Sequence, residues 1–138
     1  MDVQRAHLVF YVRDQEISRR FYAAVFERPP SLDADGMTEF DLADGAVLGL
    51  MPETGIRRLL EGRVDPGHAR AGPRAELYLV VNDVPSHHRR ALAAGARELD
   101  PPRPRDWGHI ASYLSDPDGH VLAFGEPERA GGATNASS

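Results

Sequence analysis

The sequence contains neither cysteine nor lysine. The lack of cysteine excludes disulfides, thiol nucleophiles and cysteine-rich zinc sites, and it fits a reducing compartment. All 16 basic residues are arginine, they stand against 21 acidic residues, and the formal net charge is −5. Nucleic-acid binding needs a dense basic surface that releases counterions from phosphate, and no such cluster is present. We therefore expect no nucleic-acid partner.

Long apolar runs are also missing. None approaches the ~20 residues that a membrane helix needs. The first residues, MDVQRAHLVF, lack the charged start and apolar core of a signal peptide. We expect a cytoplasmic protein with no membrane partner. The length of 138 residues allows one domain, or two small halves that share a core.

A repeat is present instead: DGAVLGL at residues 44–50 returns as DGHVLAF at residues 118–124. Ahead of the first copy, residues 6–12 predict a strand, and Asp14 predicts the N-cap of a helix that runs to about Glu27. Three short strands follow at residues 31–34, 37–42 and 46–51, with turns at Asp-Gly pairs. The apolar stripe of the helix is predicted at Ile17, Phe21, Ala24 and Val25.

The second half has the same order. Residues 75–81 predict a strand, Asp83 a second N-cap and Gly95 the C-cap of the second helix. Short strands follow at residues 97–99, 110–114 and 121–125. The stripe of this helix is predicted at Val84, His88, Ala91 and Leu92. Each half therefore reads βαβββ, and a repeated unit is expected to cover its apolar face with its own helix or with a copy of itself.

These segments resemble a known superfamily. The opening HLVFYVRD, the helix with RRFY, the second opening ELYLVVND, the helix end AAGA and the closing DPDGHVLAFGEP are similar to the vicinal oxygen chelate superfamily, also called glyoxalase/bleomycin resistance/dioxygenase. The resemblance covers about residues 5–127. It implies an α+β fold of two tandem βαβββ modules, residues 5–52 and 75–127, whose curved mixed sheets form half-barrels. The modules, with the connection at residues 53–74, are expected to form one domain, residues 1–128, before a disordered tail at residues 129–138.

The resemblance also implies where a metal would bind. Enzyme members hold a divalent ion with side chains from the first and last strand of each module, and the matching positions here are His7, Gly49, Glu76 and Ala123. Gly49 and Ala123 have no side-chain ligand, whereas a protein-bound divalent ion usually has at least three. We therefore expect a small-molecule binding protein of the resistance or sequestration type, without a bound metal.

One alternative stays open at this point. His7 and Glu76 would hold a divalent metal together with Glu39, Asp41 or His109, and the protein would be a glyoxalase I-like lyase or a dioxygenase with non-standard ligands.

Strand alternation selects the candidate ligand-binding residues. If Phe10 and Leu79 face the helices, their neighbours face the opposite, concave side. The candidates for ligand binding are His7, Tyr11, Glu76, Tyr78, His109 and Tyr113. The alternative is that the tyrosines face solvent, and that His7 and Glu76 are a hydrogen-bonded remnant of an ancestral metal site. No catalytic residue is identified.

The long connection and the assembly complete the expectations. Residues 56–62 predict one or two helical turns within a lid-like loop. Its arginines either contact an anionic ligand or form a solvated surface, and they are Arg57, Arg58, Arg63, Arg70 and Arg74. The modules can pair within one chain or between two chains; the resemblance favours the second arrangement, so we expect a homodimer.

Overall fold

A computed structural model describes residues 2–68, 73 and 75–129. The chain divides into two compact units, Met1–Gly72 and Pro73–Ser138. The predicted tail, apart from Arg129, lies outside the described residues, and so do Arg70 and Arg74.

The first unit contains one four-stranded mixed sheet. Its elements are β1 (Ala6–Val12), α1 (Gln15–Phe26), β2 (Leu32–Ala34), β3 (Met37–Asp41), β4 (Ala46–Pro52) and α2 (Glu53–Leu59), followed by a 3₁₀ turn at Pro66–His68. The strand order is β1-β4-β3-β2, in which β1 and β4 are parallel and the other pairs antiparallel.

The second unit repeats this topology. Its elements are β5 (Glu76–Val80), α3 (Val84–Ala93), β6 (Arg97–Pro104), β7 (His109–Ser115) and β8 (Val121–Pro127). The strand order is β5-β8-β7-β6, and β5 and β8 are again the parallel pair. The predicted α+β fold of two βαβββ modules is confirmed. No helix of the described residues is long and apolar enough to cross a membrane.

Helix α1 begins where the sequence predicts, but it buries a different face. The Asp14 side chain accepts a hydrogen bond from the Ile17 amide at 3.0 Å. The predicted stripe is wrong at Ile17, which is 47% exposed, and at Ala24, which is also exposed. The buried residues are Ser18, Phe21, Tyr22 and Val25. The ring of Tyr22 lies 6.4 Å from that of Phe10, so the buried face is turned towards Ser18 and Tyr22 and away from Ile17 and Ala24.

Helix α3 follows its predicted stripe for most of its length. Val84, His88 and Ala91 are buried, and His88 Nε2 lies 2.7 Å from the Glu98 carboxylate. Leu92 is 38% exposed, which corrects the predicted stripe at that position. The C-cap is Ala94 rather than Gly95. Gly95 follows it with φ +113°, a conformation that favours glycine directly after a helix.

Two element boundaries differ from the prediction. Helix α2 begins at Glu53 instead of residue 56, directly after β4, and buries Ile56. Strand β6 continues to Pro104 instead of ending at residue 99. The added segment contains prolines, which β6 tolerates because it is one of the two edge strands of its sheet and an edge strand accepts residues without an N–H. Two register shifts between β6 and β7 accommodate this segment.

Candidate functional site

The two faces of the first sheet have different roles. Phe10 and Phe40 contact aromatic rings of α1, so their side of the sheet is covered by that helix. Strand partners project to the same side of a sheet. The predicted site residues His7 and Tyr11 lie on the opposite face, in register with Val47 and Met51 of β4.

We call the face of each sheet that lies opposite α1 or α3 its open face. His7 has a carboxylate neighbour on the open face of the first sheet. Its Nδ1 lies 3.5 Å from Glu39 Oε2, and both side chains are partly exposed. Asp41, the next residue of β3 on this face, pairs with Arg5 at 2.8 Å. The first unit therefore places one imidazole beside one carboxylate and leaves a second carboxylate bound to arginine.

Gly49 lies between Val9 and Glu39 on the same face. A Cβ placed there would lie 3.3 Å from Met37 Sδ and 3.3 Å from Val9 Cγ2. A carboxylate side chain at this position would have to displace these apolar neighbours. Gly49 itself has no side-chain ligand atom, and two apolar side chains occupy the space beside it.

A groove of about 350 Å³ opens elsewhere in the first unit, at the β3–β4 turn. It does not include the open-face residues His7 and Tyr11. The groove is polar, and its lining carboxylate Asp41 is already paired with Arg5. We therefore do not place the ligand site there. The lining residues are Gln4, Arg5, Asp41, Leu42, Ala43, Asp44, Gly45 and Ala46.

In the second unit, Ala123 lies in register between Tyr78 and Tyr113 and has no exposed surface. The three residues are cross-strand neighbours on β5, β8 and β7. Neighbours in one row share a face, so the two tyrosines flank a small residue on the open side of this sheet. The second position without a ligand is therefore also closed by its surroundings.

Tyr78 is at the centre of a hydrogen-bonded group. Its phenol oxygen lies 2.7 Å from His109 Nδ1 and accepts a hydrogen bond from Trp107 Nε1 at 3.1 Å. The ring leans over Gly125, where an added Cβ would overlap the phenol oxygen. Glycine at position 125 therefore makes the space that lets Tyr78 reach His109.

Tyr113 lies beside a charged network. The Arg105 guanidinium stands 5.1 Å from the centre of its ring and pairs with Asp100 at 2.8 Å. Burial raises the pKa of Tyr113 above its usual value, and the negative charge of Glu76 raises this pKa further. The positive charge of Arg105 lowers this pKa but does not outweigh the two other causes.

A compact acidic group occurs at the turn before β8. Ligand atoms of Asp116, Asp118 and His120 lie within 4.8 Å of one another, the only set of three or more such side chains among the described residues. Asp116 is buried, and its carboxylate already accepts hydrogen bonds from the amides of Asp118 and His120 and lies 3.0 Å from His120 Nδ1. These bonds give Asp116 a structural role in closing the turn.

The arginines of the connection do not form a described cluster. Arg57 and Arg58 are exposed in the last turn of α2, and Arg63 pairs with Glu61 at 3.3 Å. The described contacts do not distinguish between the two predictions for these arginines, an anion site and a solvated surface.

The structure brings four of the six predicted site residues to one face of one sheet. Tyr78 contacts His109, and Tyr113 is close enough to Glu76 for that charge to affect its pKa. His7 and Tyr11 occupy the open face of the other unit's sheet. Strand alternation missed Trp107, because this residue lies in the β6–β7 turn, where no period applies. The signal was available: it is the single tryptophan, placed in a turn between Asp106 and Gly108.

Comparisons with known proteins agree with this architecture. A family model described as "Glyoxalase/Bleomycin resistance protein/Dioxygenase superfamily" matches residues 4–124. A glyoxalase/bleomycin resistance protein/dioxygenase family enzyme from Burkholderia phytofirmans PsJN is 19% identical with a TM-score of 0.78, and the match covers 92% of this chain and 99% of that one. A glyoxalase-related enzyme from Fulvimarina pelagi is 23% identical with a TM-score of 0.71, covering 98% and 99%.

A glyoxalase/bleomycin resistance protein from Albidiferax ferrireducens is 21% identical with a TM-score of 0.65, covering 87% of this chain and 95% of that one. At these identities the structural likeness shows the fold alone. No curated protein matches the sequence significantly.

Proposed function

Because this chain belongs to the glyoxalase/bleomycin resistance protein/dioxygenase superfamily, whose members bind small-molecule ligands, we propose that it binds a small organic molecule on the open face of its second sheet. In this proposal the protein works by sequestration or resistance and needs no bound metal. Tyr78, His109, Tyr113 and Glu76 contact the ligand, and His7 and Tyr11 serve the same role on the first sheet.

The proposal rests on the two metal-ligand positions of the superfamily that have no ligating side chain in this protein. Gly49 is closed in by Met37 and Val9, and Ala123 is buried between two tyrosines. The superfamily's ligand positions then contribute only His7 and Glu76, fewer than the three protein ligands that a bound divalent ion usually has. Half-buried aromatic rings with a few polar groups are instead the usual lining of an organic ligand site.

Metal analysis tests the first part of the proposal. The full chain, purified without a chelator, is expected to contain well below one equivalent of Zn²⁺, Ni²⁺, Mn²⁺ or Fe²⁺ per chain. A stoichiometric, tightly bound ion that is lost in His7→Ala would contradict it. Arg20→Gln is a suitable control variant, because Arg20 is exposed on α1 and carries no metal-ligating group.

Ligand screening tests the second part. We expect a thermal-shift screen of aromatic natural products to give ligands that raise the unfolding temperature of the metal-free protein, since binding to the folded state stabilises it. The shift should shrink in Tyr78→Ala and persist in the α1 surface variant Arg20→Gln. A screen in which no compound stabilises the metal-free protein would contradict the proposal.

A second candidate function has one observation in its favour. His7 and Glu39 lie together on the first sheet, as a lyase or dioxygenase with rearranged ligands would require. When bound, a divalent metal there would polarise substrate oxygens. His7→Ala and Glu39→Gln would then abolish metal uptake and turnover together. Failure of the protein loaded with each of the four metals to act on hemithioacetals or catechols would count against this function.

A further inference from the structure

The chemistry of the three side chains favours one direction for the hydrogen bonds around Tyr78. An indole N–H can only donate, so Trp107 is the donor to the Tyr78 oxygen. The phenol has one hydrogen, and His109 Nδ1, at 2.7 Å, is its acceptor in range among the described residues. If Nδ1 carried the hydrogen, the phenol oxygen would accept twice and its own hydrogen would have no acceptor among the described residues. All three groups are satisfied when Trp107 donates to Tyr78 and Tyr78 donates to His109.

This direction determines what His109 offers to a ligand. A neutral imidazole whose Nδ1 accepts a hydrogen bond carries its own hydrogen on Nε2. No partner of Nε2 occurs in the described part of the chain, and the ring is half-buried on the open face of the second sheet. His109 therefore presents a hydrogen-bond donor whose tautomer is set by Tyr78.

Trp107 supplies the second half of the site. Its side chain is 55% exposed, yet the hydrogen bond to Tyr78 holds it in place. The turn that carries it is closed by the Gly108 amide, which bonds the Arg105 carbonyl at 3.2 Å. An exposed indole whose N–H is already used is an aromatic surface that gains from being covered by a flat ring. Because Trp107 and His109 bond the same phenol oxygen, the indole and the imidazole are neighbours.

We propose that the hydrogen-bond series Trp107–Tyr78–His109 determines the ligand class of the proposed site. This class is planar aromatic compounds with a neutral hydrogen-bond-accepting oxygen, such as a carbonyl. His109 Nε2–H donates to that oxygen, and the indole of Trp107 packs on the ring. A neutral acceptor fits better than an anion because Glu76 is negative on the same face and the Arg105 guanidinium beside Tyr113 is already paired with Asp100 at 2.8 Å. The ligand class rests on the proposed small-molecule binding. The donor-to-acceptor direction of the hydrogen-bond series rests on its own geometry alone.

Nuclear magnetic resonance of the full-length protein tests the direction. The nitrogen shifts of His109 are expected to show the neutral Nε2–H tautomer, and in Tyr78→Phe this excess should fall to the mixture of tautomers of an unconstrained imidazole. The single tryptophan gives one indole N–H signal, whose hydrogen exchange should become faster in the same variant. An Nδ1–H tautomer in the wild-type protein, or an indole signal that Tyr78→Phe leaves unchanged, would overturn the inference.

Three matched probes test the ligand class. Coumarin has a planar ring and a carbonyl, benzofuran keeps the planar ring without the carbonyl, and δ-valerolactone keeps the carbonyl without the aromatic ring. We expect coumarin to bind about tenfold more tightly than either, the change that one hydrogen bond or one aromatic contact produces. His109→Phe should remove this advantage over benzofuran, and Trp107→Ala the advantage over δ-valerolactone. His87→Phe is the matched control, since His87 bonds a backbone carbonyl of α3's first turn instead.

The outcomes separate this inference from the proposed function. Equal affinity for the three probes, or an unchanged coumarin preference in both variants, overturns the ligand class and leaves the proposed function standing. The absence of coumarin binding also overturns the ligand class, and the broad thermal-shift screen then decides the proposed function. If His109→Phe does not fold, Tyr78→Phe replaces it. This variant releases both the His109 tautomer and the Trp107 indole, so it should reduce the coumarin preference over both other probes.

Discussion

Tyr113 is the residue whose ionisation the second unit visibly perturbs. Burial and then the charge of Glu76 raise its pKa, so the folded protein holds the phenol hydrogen more tightly than the unfolded chain does. The stabilisation that follows is fully present below about pH 10, the ordinary value for tyrosine, and is lost as the pH rises through the folded pKa. Tyr113 therefore makes the free energy of unfolding depend on pH only under alkaline conditions.

Tyr113→Phe should therefore flatten the fall of the free energy of unfolding above about pH 10. Urea unfolding across an alkaline pH series measures this slope. Glu76→Gln should reduce the slope in part, because it removes the second cause of the shift and leaves burial in place. Equal slopes for the wild-type protein and Tyr113→Phe would show that Tyr113 does not have a raised pKa.

Gly125 controls the position of Tyr78. An added methyl group at this position meets the phenol, so Gly125→Ala should push the ring aside and break its contacts with Trp107 and His109. We expect a loss of about 1–3 kcal/mol in the free energy of unfolding, as for other overpacked sites. A change in the indole N–H signal should accompany it.

Gly55→Ala is the control. Gly55 lies within α2, and a Cβ there would have its nearest neighbours at 3.9 Å. This substitution should raise the free energy of unfolding by roughly 0.5–1 kcal/mol, since alanine is the better helix former. Equal effects at the two positions would show that Tyr78 does not depend on the space above Gly125.

Residue by residue, the sequence predicts position better than contact. Alternation along β5 and β7 placed Tyr78 and Tyr113 on one face, because side chains of a strand alternate whatever their partners are. It did not predict that Tyr78 would lean over Gly125 to reach His109. That contact depends on the absence of a side chain two residues beyond its strand partner, Ala123, which no periodic pattern records.

At the scale of elements, the start of α3 shows how a strand completes a helix. The first amides of a helix have no partner within it. Here the Glu126 carboxylate of β8 accepts from the Val84 amide at 2.8 Å, Pro85 has no N–H, and the Asp83 side chain accepts from the Ser86 amide at 3.3 Å. The negative charge of Glu126 also matches the positive end of the helix dipole.

Glu126→Ala should consequently lower the free energy of unfolding by about 1–2 kcal/mol, since it leaves an amide in a partly buried place without its acceptor. Chemical denaturation at neutral pH measures the loss. Glu128→Ala is the control on the same segment, where the side chain is exposed, and should change stability little. A similar effect for both variants would mean that the helix start does not depend on Glu126.

Elements were predicted well where a local signal sets them. Asp14 and Asp83 cap their helices through their own side chains, and such caps are visible in sequence. The length of β6 was not predicted, because prolines exclude a central strand but not an edge strand, and edge position is a property of the whole sheet. The buried face of α1 was predicted wrongly because the apolar pattern does not show that Tyr22 packs against Phe10 while Ile17 is left exposed.

At the scale of the molecule, the repeated turn and strand correctly indicated two units of the same topology. The expected homodimer stays a prediction. Light scattering over a wide dilution range should give about twice the chain mass of 15.1 kDa at micromolar concentration. Each sheet leaves the far edge of its first strand without a partner in its own unit, and such edges are usually paired or covered. A particle of 15.1 kDa at every concentration would show that the chain needs no second copy.

Strand pairing stays within each unit, and this has a consequence for how such a protein evolves. Every strand of the described sheets takes its neighbours from its own half of the chain. A genetic crossover between the halves would therefore cut no β-ladder, and a relative's half would arrive with its strand order intact. Selection can thus alter the aromatic face of the second sheet while the first sheet's backbone hydrogen bonds are inherited unchanged.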